Sequence, residues 1–477
     1  MLLLASLLAP TILWGQSIKD IRYVDASQLT LVGKALPTPH LYHRIDTVAF
    51  KGFSKSENQQ ARCSAGLAVV FRTNSPQIDL LPLYKWEYRK DNVTGIAAAG
   101  FDLYIRQNNE WIYANSLAPA KRNEAFTLMY GMEPKEKECL LYLPMYSELE
   151  SLKIGIQPGS SIETIPNPFG QKVVFFGSSF TQGIGASRPG MSYPLQIERN
   201  TNLHVCNLGF SGNAKLQSYF AEVIAATKAD AFVFDVFSNP DAMQIKKRLQ
   251  AFVDIIVTKH PKTPLIFVQT IQRGNEAFNT LIRDRERDKQ EIVGTLMKEI
   301  IRKYPNIYLI GNPLPAPESR DTCTDGTHPS DLGYYFWAKN LEKKIIEILN
   351  KNKYSLEQEN SQTEIAEAEK RMQEHLCQKY SKDDFTEAYY NSLFKHLYTS
   401  LAFPTMCILN EAEISPISVT VEKDATTNIY LYTAKLNVTK GDSNPIEITQ
   451  TGRVQTDGDG HIAFIDLDDS TLFNALS

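Results

Sequence analysis

The feature that most constrains the fold is an alternation of short apolar runs with longer amphipathic segments between residues 173 and 349. The apolar runs read VVFF, HVCNL, AFVFDV, PLIFVQT and IYLIG, which have the length and residue types of buried strands. The segments between them, such as DAMQIKKRLQAFVDIIVTKH, have the periodicity of amphipathic helices. This alternation predicts an α/β three-layer domain at 170–350, in which a parallel sheet binds ligands at the carboxyl ends of its strands.

The rest of the chain predicts further domains. A length of 477 residues exceeds one typical core. Residues 18–160 contain short β-rich runs such as GLAVVFRTN and predict a β-sandwich. The polar stretch 351–363 lacks periodicity and predicts a linker. Residues 364–477 predict a small α+β domain, with helices near 365–380 and 384–401 followed by strands.

The N-terminal residues 1–17 contain an apolar run that is too short to span a bilayer. The run is similar to a signal peptide, although it lacks a basic start, and a buried N-terminal segment is the alternative. A signal peptide predicts export to the periplasm or the medium, where Cys377 and Cys407 would be candidates for a disulfide. Asn92 and Asn437 begin sequons that are as readily explained by chance as by glycosylation.

Composition excludes several classes of function. The net charge of −4 and the lack of a basic arm argue against a nucleic-acid partner. No later run is long and apolar enough for a membrane helix. The six cysteines form no CxxC pair, so we predict neither a zinc site nor another cofactor.

Two serines follow the first predicted strand, in VVFFGSSFTQ. A serine between a strand and a helix is most often an N-cap, and the alternative is that Ser179 is a nucleophile. The stretch is not a Walker A loop, because no Gly-Lys-Ser/Thr follows, and it lacks the Gly-x-Ser-x-Gly spacing of the α/β-hydrolase elbow. A nucleophilic serine would need a base, an orienting acid and an oxyanion hole.

The stretch TDGTHPSD offers the base and the acid between the last strand and the last helix. Asp325 precedes His328 by three residues, a spacing that allows the carboxylate to hold the imidazole in the tautomer that accepts a serine proton. The alternative is an Asp-Gly turn with a solvated histidine.

Candidates for the oxyanion hole follow the second and third strands. Gly209 and Gly212 lie in NLGFSGNAKL, before a helix that is predicted to begin near Ala214. A glycine there allows a backbone N–H to approach a substrate oxygen closely. Asn239, in VFSNPD, has a side-chain N–H for the same oxygen, or it caps the helix that follows.

These blocks resemble the SGNH hydrolase superfamily, the GDSL esterases and lipases. The family's nucleophile falls on Ser179, its glycine on Gly212, its asparagine on Asn239, and its Asp-x-x-His on Asp325 and His328. The resemblance implies an oxyanion hole formed by the N–H of Ser179, that of Gly212 and the amide of Asn239. Two departures are the serine at position 178, where the family has aspartate, and the missing glycine before Asn239.

The GFDLY stretch at 100–104 resembles the Gly-x-Asp-Leu-Tyr motif of a β-rich domain that precedes certain SGNH hydrolases. The pairing is similar to bacterial carbohydrate esterases. We therefore expect an exported serine ester hydrolase that deacylates a glycan or another small ester. The alternatives are a carbohydrate-binding protein with an inactive hydrolase fold and a lipase that acts on lipid esters.

Overall fold

A computed structural model describes residues 21–87, 91–314, 321–376, 412–423, 429–440, 444–456 and 462–467. The predicted signal peptide at 1–17, the predicted helix at 384–401, and Cys377 and Cys407 lie outside these residues. The chain divides into two compact units, residues 1–350 and residues 351–477. The β-rich N-terminal part and the α/β part therefore belong to the same unit.

The N-terminal part is a β-sandwich, as predicted. The strands and short helices are β1 (Arg22–Asp25), β2 (Thr30–Val32), α1 (Lys55–Ala61), β3 (Ala68–Thr73), β4 (Ile78–Glu87), α2 (Gly95–Ala99), β5 (Phe101–Gln107), β6 (Glu110–Leu117), β7 (Phe126–Met129), β8 (Lys137–Tyr142), β9 (Ser147–Ile156) and β10 (Ile162–Thr164). One antiparallel sheet has the strand order β1-β9-β4-β7, and the second has the order β10-β3-β8-β5-β6 with β2 paired to β3. Apolar side chains from both sheets, including Val69, Leu80, Leu141 and Ile154, form one core between them.

The α/β part contains the predicted parallel sheet with helices. Its elements are β11 (Lys172–Gly177), α3 (Ser179–Gln182), α4 (Tyr193–Thr201), β12 (His204–Gly209), α5 (Ser218–Ala225), β13 (Ala231–Asp235), α6 (Ala242–Lys259), β14 (Leu265–Val268), α7 (Thr280–Lys303), β15 (Ile307–Ile310) and α8 (Asp331–Leu376). The strand order is β12-β11-β13-β14-β15, and every neighbouring pair is parallel. Because the order reverses at β11, the carboxyl ends of β11 and its two neighbours border a crevice where such sheets bind ligands.

The predicted start of one helix is wrong. The helix expected from Ala214 begins at Ser218, because Leu216 has a φ of 58° in the left-handed region and interrupts helical geometry. Residues 351–363, predicted as a linker, are helical within α8, and they begin where the second unit begins. They contain neither proline nor glycine and are rich in Glu, Gln and Lys, which favour a helix even without an apolar face.

The second unit contains a four-stranded antiparallel sheet, consistent with the predicted α+β class. Its strands pair in chain order: β16 (Ala412–Lys423), β17 (Ile429–Lys440), β18 (Ile446–Thr456) and β19 (Ile462–Leu467). In the parts of the chain that the structure describes, no helix combines the length and apolar character that a membrane span requires.

Candidate active site

The two serines at the end of β11 have different partners. Ser178 is the N-cap of α3, and its Oγ accepts a hydrogen bond from the backbone N–H of Phe180 at 3.1 Å. The Ser178 hydroxyl also donates to Asp235 Oδ2 at 2.5 Å and is fully buried. Ser179 is the first residue of α3, so its hydroxyl is left for a different partner. The capping alternative therefore applies to Ser178.

A chain of hydrogen bonds joins Ser179 to His328 and Asp325. Ser179 Oγ lies 2.9 Å from His328 Nε2, and His328 Nδ1 lies 2.8 Å from Asp325 Oδ2. Because a carboxylate can only accept, Nδ1 carries the proton and Nε2 is the acceptor for the serine hydroxyl. The ring of Phe180 contacts the imidazole edge-on, with ring centroids 5.4 Å apart. This arrangement is able to remove the proton from Ser179.

The Asp325 carboxylate is held on both of its oxygens. Oδ1 accepts hydrogen bonds from the backbone N–H groups of Thr327 at 3.0 Å and His328 at 2.7 Å. Oδ2 accepts from the side-chain Nδ2 of Asn92 at 2.9 Å as well as from His328. Burial alone would raise the pKa of Asp325, but these hydrogen bonds outweigh it and lower the pKa to about 2. Asp325 is thus an oriented, ionised carboxylate.

Asn92 is a site residue that the sequence did not reveal. It lies 233 positions before Asp325, in the β-sandwich part of the unit, and sequence analysis noted it only as the start of a sequon. Its backbone oxygen also accepts a hydrogen bond from Gly185 at 3.2 Å, which connects it to the loop after α3. The β-sandwich part therefore supplies a hydrogen-bond donor to the Asp325 carboxylate.

Gly212 and Asn239 line the same cleft as Ser179 and His328. Gly212 has a φ of 74°, a conformation that L side chains rarely adopt, and a Cβ there would meet open space. Glycine is therefore required by backbone geometry rather than by crowding. The cap of α6 is Asp241, whose carboxylate accepts from the N–H of Gln244 at 2.7 Å. Helix capping thus does not account for Asn239.

The buried carboxylate of Asp235 gives a physical account of the serine at position 178. Asp235 ends β13 and accepts hydrogen bonds from the Ser178 backbone N–H at 3.1 Å and from the hydroxyls of Ser178, Thr181 and Ser238. It joins the turn that holds Ser179 to the turn that holds Asn239. A carboxylate therefore contacts the turn that holds Ser179, although position 178 lacks one.

The turn before Asn239 is supported by a buried ion cluster. The carbonyl oxygen of Ser238 accepts hydrogen bonds from Arg273 Nη2 at 3.0 Å and Lys289 Nζ at 3.1 Å. Both cations pair with Glu286, whose side chain is fully buried. These contacts hold the backbone next to Asn239 in place. Arg273, Glu286 and Lys289 all lie outside the sequence motif that contains Asn239.

The cleft above these residues has a volume of about 630 Å³ and is bordered by both parts of the first unit. The β-sandwich part contributes polar groups and the two aromatic side chains Trp86 and Tyr146. The lining consists of Ser56, Gln59, Gln60, Cys63, Trp86, Asn92, Tyr146, Ser179, Ile184, Ser211, Gly212, Lys215, Ser238, Asn239, Pro240, Asp241, Gln244, Arg273, Arg285, Lys289, Thr327 and His328.

The GFDLY motif joins the two parts close to this cleft. Asp102 is fully buried, and its Oδ2 accepts hydrogen bonds from Arg188 Nη1 at 2.7 Å and from the N–H of Gly190 at 2.8 Å. Arg188 also donates to the hydroxyl of Tyr104 at 2.5 Å. The aspartate and tyrosine of the motif therefore anchor the loop after α3, the same loop that contacts Asn92.

Comparison with known proteins places this geometry in a family. The GDSL-like Lipase/Acylhydrolase family profile matches residues 170–346, and the GxDLY profile, the N-terminus of Esterase_SGNH_hydro-type proteins, matches residues 21–162. A solved protein described as a GDSL-like lipase from Bacteroides ovatus ATCC 8483 is 38% identical, with a TM-score of 0.67, and the match covers 69% of this chain and 98% of that one. The chain belongs to the GDSL-like lipase/acylhydrolase family, a family of carboxylic ester hydrolases.

Among the more distant matches, one has a TM-score that shows a shared fold. The salicylyl-acyltransferase SsfX3 from a tetracycline biosynthetic pathway is 19% identical, with a TM-score of 0.56, and the match covers 69% of this chain and 97% of that one. A family two carbohydrate esterase from Clostridium thermocellum, in complex with cellohexaose, is 13% identical, with a TM-score of 0.46, and the match covers 59% and 92% of the two chains. No curated protein sequence matches the chain.

Proposed function

We propose that the protein is an exported serine esterase that removes small acyl groups from a hydroxylated compound such as a carbohydrate, through an acyl-enzyme. The observation that carries this proposal is the hydrogen-bonded chain Ser179–His328–Asp325 at the edge of a cleft with a largely polar lining. Export rests on the apolar segment at 1–17 in the sequence.

The geometry supports a mechanism in two half-reactions. His328 Nε2 takes the proton of Ser179 as Oγ attacks the ester carbonyl carbon, and Asp325 stabilises the imidazolium that forms. The N–H groups of Ser179 and Gly212 and the side-chain amide of Asn239 donate to the developing oxyanion. His328 then protonates the departing alcohol oxygen and leaves an ester on Ser179. Water, deprotonated by His328, attacks that ester, and the carboxylic acid is released.

Two alternatives make different predictions. A carbohydrate-binding protein with an inactive hydrolase fold would not turn over an ester, yet the described site keeps the serine, the histidine and the acid in hydrogen-bond contact. A lipase would favour long acyl chains. The cleft offers Gln59, Gln60, Asn92 and several cations beside Trp86 and Tyr146, a lining that suits hydroxyl groups better than a long alkyl chain.

A chain-length series of p-nitrophenyl esters, from acetate to palmitate, tests the proposal. We expect the highest kcat/KM with acetate or propionate, and release of acetate from acetylated xylan. Ser179→Ala and His328→Ala should each abolish turnover to a similar extent, because such residues act as a unit. Turnover that survives in either purified variant would contradict the Ser-His mechanism, and a maximum at long chains would favour the lipase.

A further inference from the structure

Four cationic side chains line the cleft. They are Lys215, Arg273, Arg285 and Lys289, and we refer to these four residues as the basic wall. Arg273 and Lys289 both donate to the carbonyl oxygen of Ser238, the neighbour of Asn239. Among the described residues that line the cleft, Asp241 is the single carboxylate, and it is engaged in capping α6. The cleft therefore combines four positive groups with little negative charge on its surface.

The carboxylate beneath the basic wall does not neutralise it. Glu286 is shared by Arg273 at 3.1 Å, Arg285 at 3.2 Å and Lys289 at 2.7 Å. Burial is the main reason why the pKa of Lys289 is lowered to about 8, and the neighbouring arginines lower it further against the effect of Glu286. A second buried acid, Glu276, binds the backbone N–H of Arg273 at 2.7 Å, and burial raises its pKa. Three cations thus converge on one shared carboxylate.

Two members of the basic wall retain donors for a ligand. Lys215 is half-buried, and its ammonium group has neither an ion-pair nor a hydrogen-bond partner within the part of the chain that the structure describes. The side chain of Arg285 is 54% exposed and contacts Glu286 through one nitrogen, whereas a guanidinium has five N–H donors. Arg273 and Lys289, by contrast, are engaged with Ser238 and Glu286.

We propose that the basic wall binds an anionic group of the substrate, a carboxylate or a sulfate, through Lys215 and Arg285. The proposal rests on the proposed esterase function and narrows it to esters that carry a negative charge near the scissile bond, such as an acylated sugar acid or sulfated sugar. Lysine and arginine are the side chains that pair with such groups, and a partly enclosed cleft strengthens the attraction relative to open solvent.

The test compares three acetate esters: 4-acetoxybenzoate, 4-acetoxybenzenesulfonate and the neutral methyl 4-acetoxybenzoate. The variant Lys215→Met/Arg285→Met removes two charges from the basic wall. The matched control, Lys228→Met/Lys298→Met, removes two charges from exposed positions outside the cleft. For each enzyme we take the ratio of kcat/KM for an anionic ester to that for the neutral ester. Because the esters are the same for every enzyme, comparing this ratio between variant and wild type cancels the difference in their intrinsic reactivity.

We expect this ratio to fall about tenfold in the basic-wall variant, as for loss of a charged hydrogen bond, and to stay constant in the control. Added NaCl should lower the ratio for wild type more than for the basic-wall variant. Comparing the ratio for 4-acetoxybenzoate with that for 4-acetoxybenzenesulfonate shows whether the site prefers a carboxylate or a sulfonate. An unchanged ratio would overturn the proposal in either of two cases. If kcat/KM falls equally for anionic and neutral esters, the residues only maintain the site; if neither value falls, they play no part in it.

Binding separates this inference from the proposed function. In Ser179→Ala, calorimetric titration should show tighter binding of 4-acetoxybenzoate than of its methyl ester, and the basic-wall substitutions should remove the difference. If the wild-type protein binds the anionic ester more tightly than the neutral one but hydrolyses neither, the esterase function is refuted and the anion site is supported. Hydrolysis without charge-selective binding would refute the anion site alone.

Discussion

We expect the hydrogen bond from Asn92 to Asp325 to make the β-sandwich part a contributor to the proposed catalytic site, and Asn92→Ala measures that contribution. A hydrogen bond to a charged group is worth roughly 1.5–3 kcal/mol. Asp325 keeps two backbone amides on Oδ1 and His328 on Oδ2, so the carboxylate stays oriented after the substitution. The loss of free energy should therefore lie at the lower end of this range. We expect about a tenfold decrease in kcat/KM, since 1.36 kcal/mol corresponds to a factor of ten.

Asn92→Asp is the sharper variant, because it keeps the shape of the side chain and replaces the donor by a second carboxylate beside Asp325 Oδ2. Repulsion between the carboxylates should raise the pKa of Asp325 from its value of about 2. The added negative charge also stabilises protonated His328. Both effects suppress activity on the acid side, so kcat/KM at pH 5 relative to pH 8 should fall more in Asn92→Asp than in Asn92→Ala.

The assay is p-nitrophenyl acetate hydrolysis from pH 5 to pH 9, with thermal unfolding measured in parallel. Asn115→Ala is the matched control, since Asn115 Nδ2 donates to the Leu128 carbonyl at 2.7 Å within the β-sandwich and does not contact Asp325. The control should keep the wild-type pH profile. If Asn92→Ala retains full kcat/KM, or if both Asn92 variants keep the wild-type profile shape, the assigned role of Asn92 is wrong.

Three further predictions concern the residues around Ser179. Asn239→Ala should lower kcat by roughly 10²–10³ with little change in KM, as for loss of one oxyanion donor, and a normal kcat in steady-state assays would exclude that role. Ser178→Ala should lower the free energy of unfolding by about 2–4 kcal/mol in urea titrations, through loss of the N-cap and of the hydrogen bond to Asp235, yet still form an acyl-enzyme detectable by mass spectrometry. An absent adduct would make Ser178 a nucleophile candidate again. The pKa of Asp325 is depressed from 3.8 to about 2, so the carboxylate stabilises the fold above pH 4 and the effect is lost as the pH falls through 2. Because solvent screens this partly exposed carboxylate, Asp325→Asn should be less stable than wild type by only about 1 kcal/mol at pH 7, and an equal difference at pH 2 would contradict this assignment.

The residues that sequence alone could place are those with a local signal. Asp325 and His328 are three positions apart, so one short loop brings the carboxylate to Nδ1. Ser179 and Asn239 follow strands of a parallel sheet, and the carboxyl ends of such strands meet at one edge. The β-sandwich and the strand-helix alternation follow from residue periodicity in the same way.

The residues that sequence could not place depend on packing between distant segments. Asn92 reaches Asp325 from 233 positions away, and nothing in its neighbourhood of the sequence indicates that contact. The choice between Ser178 and Ser179 depends on Asp235, whose carboxylate takes the first hydroxyl and leaves the second for His328. Helix α8 shows a different limit: a segment without an apolar face still forms a helix when its intrinsic propensity is high.

The last prediction concerns residues 351–477. Among the residues that the structure describes, all those that line the cleft belong to the first unit, which ends at Asn350. The first part of α8 packs Trp337, Leu341, Ile345 and Leu349 into the core of that unit. A chain that ends at Asn350 keeps all four of these side chains and therefore the burial that holds α8 against the sheet.

We therefore expect the shortened chain to fold and to hydrolyse p-nitrophenyl acetate with a kcat/KM close to that of the full chain. A loss that appears only with acetylated xylan would assign residues 351–477 to substrate recruitment, because an appended domain raises the effective concentration of a polymeric substrate without touching the reacting ester. The comparison requires circular dichroism of both proteins. If the shortened chain has the far-ultraviolet and thermal signature of a folded unit and yet fails on the small ester, residues beyond Asn350 complete or gate the site, and the assignment of the machinery to the first unit is wrong.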